Sequence, residues 1–213
     1  MLELAGLEVA AVCGDGNCGY YASMASGSED AVQHCRRGKR MTAPTAADYE
    51  GQQALRDRCV DWLLHSTQQE MLAIAQYDRG EIAQQRNGKK RARDGMGVYP
   101  NSAALRAMAA VDGVHLVVVT DNTGPSIRAP RHKYPMLGSA RPGRPYDRVS
   151  VYPPDGTALL PRFKSWANDI VPVLLRRAAG EQKRTDPTYR VITFNGEPPG
   201  SSAGHFEATR KQS

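Results

Sequence analysis

Gly14-Asp15-Gly16-Asn17-Cys18-Gly19-Tyr20-Tyr21-Ala22 sets a cysteine on a small, polar, glycine-flanked turn just ahead of a segment able to become a helix. A thiol attacks only as the thiolate, and the positive end of a helix N-terminus helps hold that anion. Cys18 therefore stands where a nucleophile belongs. Glycines at 14, 16 and 19 let the backbone turn sharply and approach a substrate, so that main-chain N–H groups can face a developing oxyanion.

Two further pieces lie outward from this turn, in order along the chain. The first is Tyr99-Pro100-Asn101-Ser102-Ala103-Ala104-Leu105-Arg106-Ala107-Met108-Ala109, followed by Val114-His115-Leu116-Val117-Val118-Val119. The second is Arg190-Val191-Ile192-Thr193-Phe194-Asn195, a Gly/Pro/Ser loop, and Gly204-His205-Phe206-Glu207. With Asp15-Gly16-Asn17-Cys18, these pieces resemble the ovarian-tumour (OTU) family of cysteine proteases in its Asp-Gly-Asn-Cys signature, its aromatic-led helix running into a central strand, and its last hairpin carrying a histidine before an aromatic residue. Tyr99 stands where the family usually has tryptophan.

The resemblance covers nearly the whole chain and implies an α/β (α+β) papain-like OTU fold, a mostly β central sheet flanked by helices. It implies one domain over residues 1–213, with a Pro/Arg-rich insertion at about 123–161. The implied activity is thiol-dependent hydrolysis of ubiquitin or a ubiquitin-like modifier from its conjugates, a deubiquitinase working through Cys18 and His205. An imidazole beside the sulfur forms a thiolate–imidazolium pair and later returns the proton to the leaving amine. Asp15 matches the motif aspartate that shapes the turn. Asp15, Gly16, Asn17 and Cys18 make the oxyanion turn, with the backbone N–H groups of Asp15 and Cys18 as donors. Tyr99, Gly204 and Phe206 would line a narrow groove for a Gly-Gly tail. For the group that orients the imidazole, Glu207 has the two-residue strand spacing that puts it on the face of His205, although the family more often uses Asp or Asn there. Asn195, on the preceding strand, is the fallback. No cofactor and no metal is implied, and the expected partners are ubiquitin conjugates met by a monomer. The alternative from another class is a non-catalytic ubiquitin-binding or basic nucleic-acid-associated module on the same fold.

Composition sets independent bounds. A chain of 213 residues with 40% hydrophobic content can bury one substantial core. No apolar run approaches the ~20 residues needed to span a bilayer, and Met1 to Val12 lacks a basic region ahead of its apolar stretch. The expectation is a cytoplasmic protein, in a host cytoplasm if it is a viral or bacterial effector, with the nucleus also open to it. Cysteines 13, 18, 35 and 59 contain no Cys-x-x-Cys pair, which favours free thiols in a reducing compartment. The net charge of +6 and pI near 9.2 raise the question of nucleic acid. The basic clusters at Arg36-Arg37-Gly38-Lys39-Arg40 and Lys89-Lys90-Arg91-Ala92-Arg93 carry no interleaved aromatic residue or zinc-ligand spacing, and solvated loops are the preferred reading.

Local patterns place these pieces on elements. Tyr20 to Ala25 predicts the first turns of a buried helix. A longer helix is predicted from about Tyr49 to Ser66, with Leu55, Cys59, Trp62 and Leu63 forming one apolar stripe. Met71, Leu72 and Ala75 suggest a second amphipathic piece, and Gly80 to Gly97 reads mostly as loop. Asn101 or Ser102 caps the helix of Leu105 and Met108. Val114 to Val119, nearly continuous and β-branched, predicts a strand covered on both faces at the centre of the sheet. Eight prolines between Thr123 and Pro161 resist regular structure, although Arg148-Val149-Ser150-Val151-Tyr152 alternates like a short strand. Trp166 to Arg177 reads as a short helix weakened by Pro172. Of the other histidines, His115 within an apolar strand is read as structural, and His34, His65 and His132 have no matching signature.

Overall fold

The computed structural model describes residues 2–10, 12, 16–27, 44–65, 79–88, 100–121, 149–156, 165–195 and 205–212. In chain order the described elements are β1 (Leu7–Ala10), α1 (Cys18–Ala25), α2 (Ala46–His65), α3 (Arg79–Gln84) and α4 (Ser102–Asp112). They continue with β2 (His115–Asp121), β3 (Val149–Tyr152), a π-helical turn (Trp166–Ile170) leading into α5 (Val171–Ala178), β4 (Tyr189–Asn195) and β5 (His205–Lys211).

The five strands form one mixed sheet in the order β1-β5-β4-β2-β3, so the chain is of the α/β class. β2 and β4 run parallel, Val117 opposite Val191, and every other pairing is antiparallel. The hydrophobic run around Val117 is buried on both faces, as its lack of alternation requires. The expectation that it forms the centre of the sheet is corrected: it is an interior strand, and the middle position belongs to β4. The sequence predicts a covered strand without ranking its place in the order, because any strand paired on both sides and sandwiched between layers reads alike. The N-terminal stretch supplies the edge strand β1 against β5, with Leu7 opposite Lys211, a pairing that no local pattern announces.

One face of the sheet carries Leu116, Val118, Ile192, Phe194, Phe206 and Ala208 into a core shared with α1, α2 and α4. The other carries Val117, Val119, Val149, Val151 and Val191 against Trp166, Ile170 and α5. The alternation of faces follows from the two-residue period of a strand. Leu55, Cys59 and Leu63 of α2 are buried in the first core with Trp62 packed against it, as the stripe predicts.

Helix boundaries follow their caps. α2 begins three residues before the expected Tyr49 because Thr45 and Asp48 bond reciprocally, Asp48 N–H donating to Thr45 Oγ1 at 3.2 Å and Thr45 N–H to Asp48 Oδ2 at 2.7 Å. Asn101 caps α4 by accepting from Ala104 N–H at 2.9 Å, and Gly113 closes that helix in the left-handed region at φ 64°. Pro172 lies in the first turn of α5, where a proline is tolerated, and the residues just before it form the π-helical turn Trp166–Ile170, so the helix expected over Trp166 to Arg177 is regular only from Val171 onward. The loop expected from Gly80 contains the short helix α3, whose Ile82 is buried in the first core. A single apolar residue in a polar stretch is too little periodicity to reveal it. The Met71–Ala75 piece, both basic clusters and most of the proline-rich stretch lie outside the described residues, whereas Val149–Tyr152 is a strand as its alternation predicts.

Asp112 at the C-terminal end of α4 lies against the negative pole of that helix, an unfavourable place for a carboxylate. Two arginines offset this: Arg58 of α2 bonds it at 3.1 Å, and Arg190 of β4 pairs with its other oxygen while also donating to Ser23 Oγ at 3.1 Å. These contacts join α1, α2, α4 and β4 at one corner. Among the described residues no helix is long and apolar enough to cross a membrane.

Candidate functional site

The site is built where α1 begins. Gly16 has φ 87°, a conformation that costs an L-residue about 1–2 kcal/mol, which explains a glycine two residues before the cysteine. Asn17 is the N-cap of α1, and its carbonyl accepts from Tyr20 N–H at 2.9 Å and Tyr21 N–H at 3.1 Å. Cys18 is then the first helical residue, at the positive end of α1. Gly19 follows for a packing reason, since a Cβ there would lie 2.3 Å from Pro100 Cγ and 3.1 Å from the Phe206 ring. Only glycine lets the first turn of α1 seat against both the start of α4 and strand β5.

β5 approaches the cysteine from the other end of the chain. His205 opens β5 opposite Asn195 of β4, and the next residue, Phe206, donates its backbone N–H to Cys18 Sγ at 3.5 Å. The two ends of the expected motif set are thus within one residue of contact. Cys18 is fully buried in this arrangement. Glu207 is half-buried on β5 opposite Thr193, two positions from His205. Asp15, Tyr99 and Gly204, and the side chains of His205 and Asn195, lie outside the described residues.

Phe206 requires a correction. The resemblance has it line the narrow groove for a Gly-Gly tail, but its ring is 1% exposed and packs with Phe194 at a centroid distance of 4.6 Å. Alternation along β5 turns the ring into the core, and only its backbone faces the sulfur. His115 is half-buried with its ring 5.4 Å from that of Tyr189, a packing role that agrees with a structural histidine.

The residue that sequence reasoning missed is Arg56 of α2. It is wholly buried, and its guanidinium donates to Gln52 Oε1 at 2.8 Å, to the Gln85 carbonyl at 2.9 Å, to the Gly16 carbonyl at 3.2 Å and to Asn17 Oδ1 at 2.8 Å. Its Cζ sits 3.9 Å from the centroid of the Tyr20 ring. Asn17 makes no side-chain cap on α1; its oxygen is committed to Arg56 instead. A partial signal existed, because Gln52 and Arg56 are four apart and share the arc of Leu55, Cys59 and Leu63, which puts both polar residues on the apolar side of the helix. Burial raises the pKa of the Tyr20 phenol, with the nearby Arg56 charge opposing the shift. Burial first, and the Asp112 charge second, push the Cys59 thiol up to about 12, which separates it chemically from a reactive cysteine.

Compared with known proteins, the chain matches no family model and no curated sequence.

Proposed function

We propose that this chain is a cysteine-type isopeptidase that releases ubiquitin or a ubiquitin-like modifier from conjugates. Cys18, as thiolate, attacks the carbonyl at the modifier's C-terminus. The His205 imidazolium gives its proton to the departing amine, leaving a thioester on the sulfur. Water, deprotonated by the same imidazole, then breaks the thioester and restores thiol and free carboxylate. The observation that carries the reading is the 3.5 Å contact from Phe206 N–H to Cys18 Sγ, because it puts the backbone next to His205 against a sulfur at a helix N-terminus. A donor aimed at sulfur favours a thiolate over a thiol, as does the pole of α1.

In this reading the backbone N–H of Cys18, with that of Asp15, stabilises the oxyanion, and Glu207 or Asn195 orients the imidazole. Tyr99 and Gly204 flank the path of the modifier's tail. The buried sulfur adds a requirement: binding of the tail must uncover it.

The deciding experiment is incubation with ubiquitin carrying a C-terminal electrophile. The expected result is a covalent adduct located on Cys18 by mass spectrometry and absent from Cys18→Ala. A folded wild-type chain that forms no adduct and cleaves no conjugate overturns the proposal.

A further inference from the structure

Arg56 is wholly buried on α2. A guanidinium stays charged at any pH a protein meets, so burying Arg56 carries a desolvation cost of several kcal/mol unless its donors are satisfied. Four of its bonds go to neutral oxygens from three chain segments: Gln52 within α2, the Gln85 carbonyl after α3, and Gly16 with Asn17. Its planar face is covered by Tyr20, which comes from the first turn of α1. Two of the four acceptors belong to the two residues immediately before the nucleophile. Gly16 itself, at φ 87°, has no side chain whose sterics would fix this turn.

We propose that Arg56 is a positioning residue for the reaction, holding Gly16 and Asn17 so that Cys18 and its N–H keep the geometry needed for attack. The inference rests on the function proposed above and adds the means by which the nucleophile is fixed. A rigid fork suits the task, because one guanidinium meets the Gly16 carbonyl and the Asn17 side chain together while remaining anchored to Gln52 and Gln85. Lysine keeps the charge but offers no planar fork, and so separates charge from orientation.

The test compares wild type, Arg56→Lys, Asn17→Ala and the double variant. Three quantities are read: thermal midpoint, kcat and KM on ubiquitin bearing a fluorogenic C-terminal amide, and the rate of iodoacetamide labelling at Cys18 against pH. The expected result is a folded Arg56→Lys with kcat lower by about tenfold or more, KM within about twofold, and an altered Cys18 labelling profile. Asn17→Ala should reproduce much of this loss, and the double variant should be little worse than the poorer single one, as residues acting through one contact are non-additive. A folded Arg56→Lys with wild-type kcat and labelling, or effects that multiply in the double variant, overturns the proposal. Should Arg56→Lys fail to fold, Asn17→Ala decides: wild-type kcat and labelling in that variant overturn it. If the wild type proves inactive on ubiquitin, the function above fails while the labelling profiles still decide whether Arg56 governs the thiol.

Discussion

The backbone N–H of Phe206 is 3.5 Å from the sulfur of Cys18, joining residues 188 positions apart. The contact depends on β5 pairing with β4 and on α1 packing across β5, so sheet and helix together bring β5 to Cys18. Loop closure over that separation has to be offset by the core before the two can meet.

Replacing the sulfur isolates chemistry from folding. Cys18→Ala is expected to abolish cleavage of ubiquitin conjugates, a loss of about 10⁴-fold or more, while circular dichroism and thermal midpoint stay near wild type. Wild-type cleavage by this variant would remove Cys18 from the mechanism.

His205→Ala is expected to abolish turnover and to raise the pH at which Cys18 becomes reactive, because a thiolate without its imidazolium loses the charge that favours it. Iodoacetamide labelling of Cys18 between pH 5 and pH 10 gives the profile. An unchanged midpoint would mean that His205 is not the partner of the thiol.

Glu207→Ala should lower kcat by about tenfold or more with little change in KM, since the interaction matters once the imidazolium forms. Glu207→Gln should retain more activity if orientation outweighs charge. Full activity in Glu207→Ala together with a crippled Asn195→Ala would transfer the orienting role to β4.

Gly19→Ala should destabilise the fold by about 1–3 kcal/mol through overpacking against Pro100 and the Phe206 ring. Urea denaturation with an unchanged slope would register this as a shift in midpoint. Because the Phe206 backbone is the contact to sulfur, kcat in the remaining folded fraction should fall too.

Cys59 offers a pH-dependent check. Its folded pKa, about 12, lies above its ordinary value of 9.0, so the protonated thiol is favoured in the fold. The stabilisation is fully present below about 9 and is lost as pH rises towards about 12. The stability gap between wild type and Cys59→Ala should therefore narrow over that window in chemical denaturation. A gap constant from pH 8 to pH 11 would contradict it. Iodoacetamide should leave Cys59 unlabelled in the native protein at pH 8.

By itself the sequence determined the covered strand around Val117, the apolar stripe of α2 and a buried helix over Tyr20–Ala25, which the structure starts two residues earlier at Cys18, because each is a local or periodic pattern read within a few turns; the α/β class was expected from the family resemblance rather than from any such pattern. Capping chemistry was legible at Asn101 and, at Thr45 and Asp48, present but passed over. The third dimension alone decided that β4 holds the middle of the sheet, that β1 closes its edge, and that the Phe206 ring turns inward while its N–H meets the sulfur. It also decided the role of Arg56. A charged residue on an amphipathic helix ordinarily belongs to the solvated face, and only the packing of α1 and the Gln85 segment over α2 provides the four oxygens that make its burial tolerable. Pairing order, strand facing and buried polar networks depend on contacts between segments far apart in the chain, and no window of local sequence contains both partners.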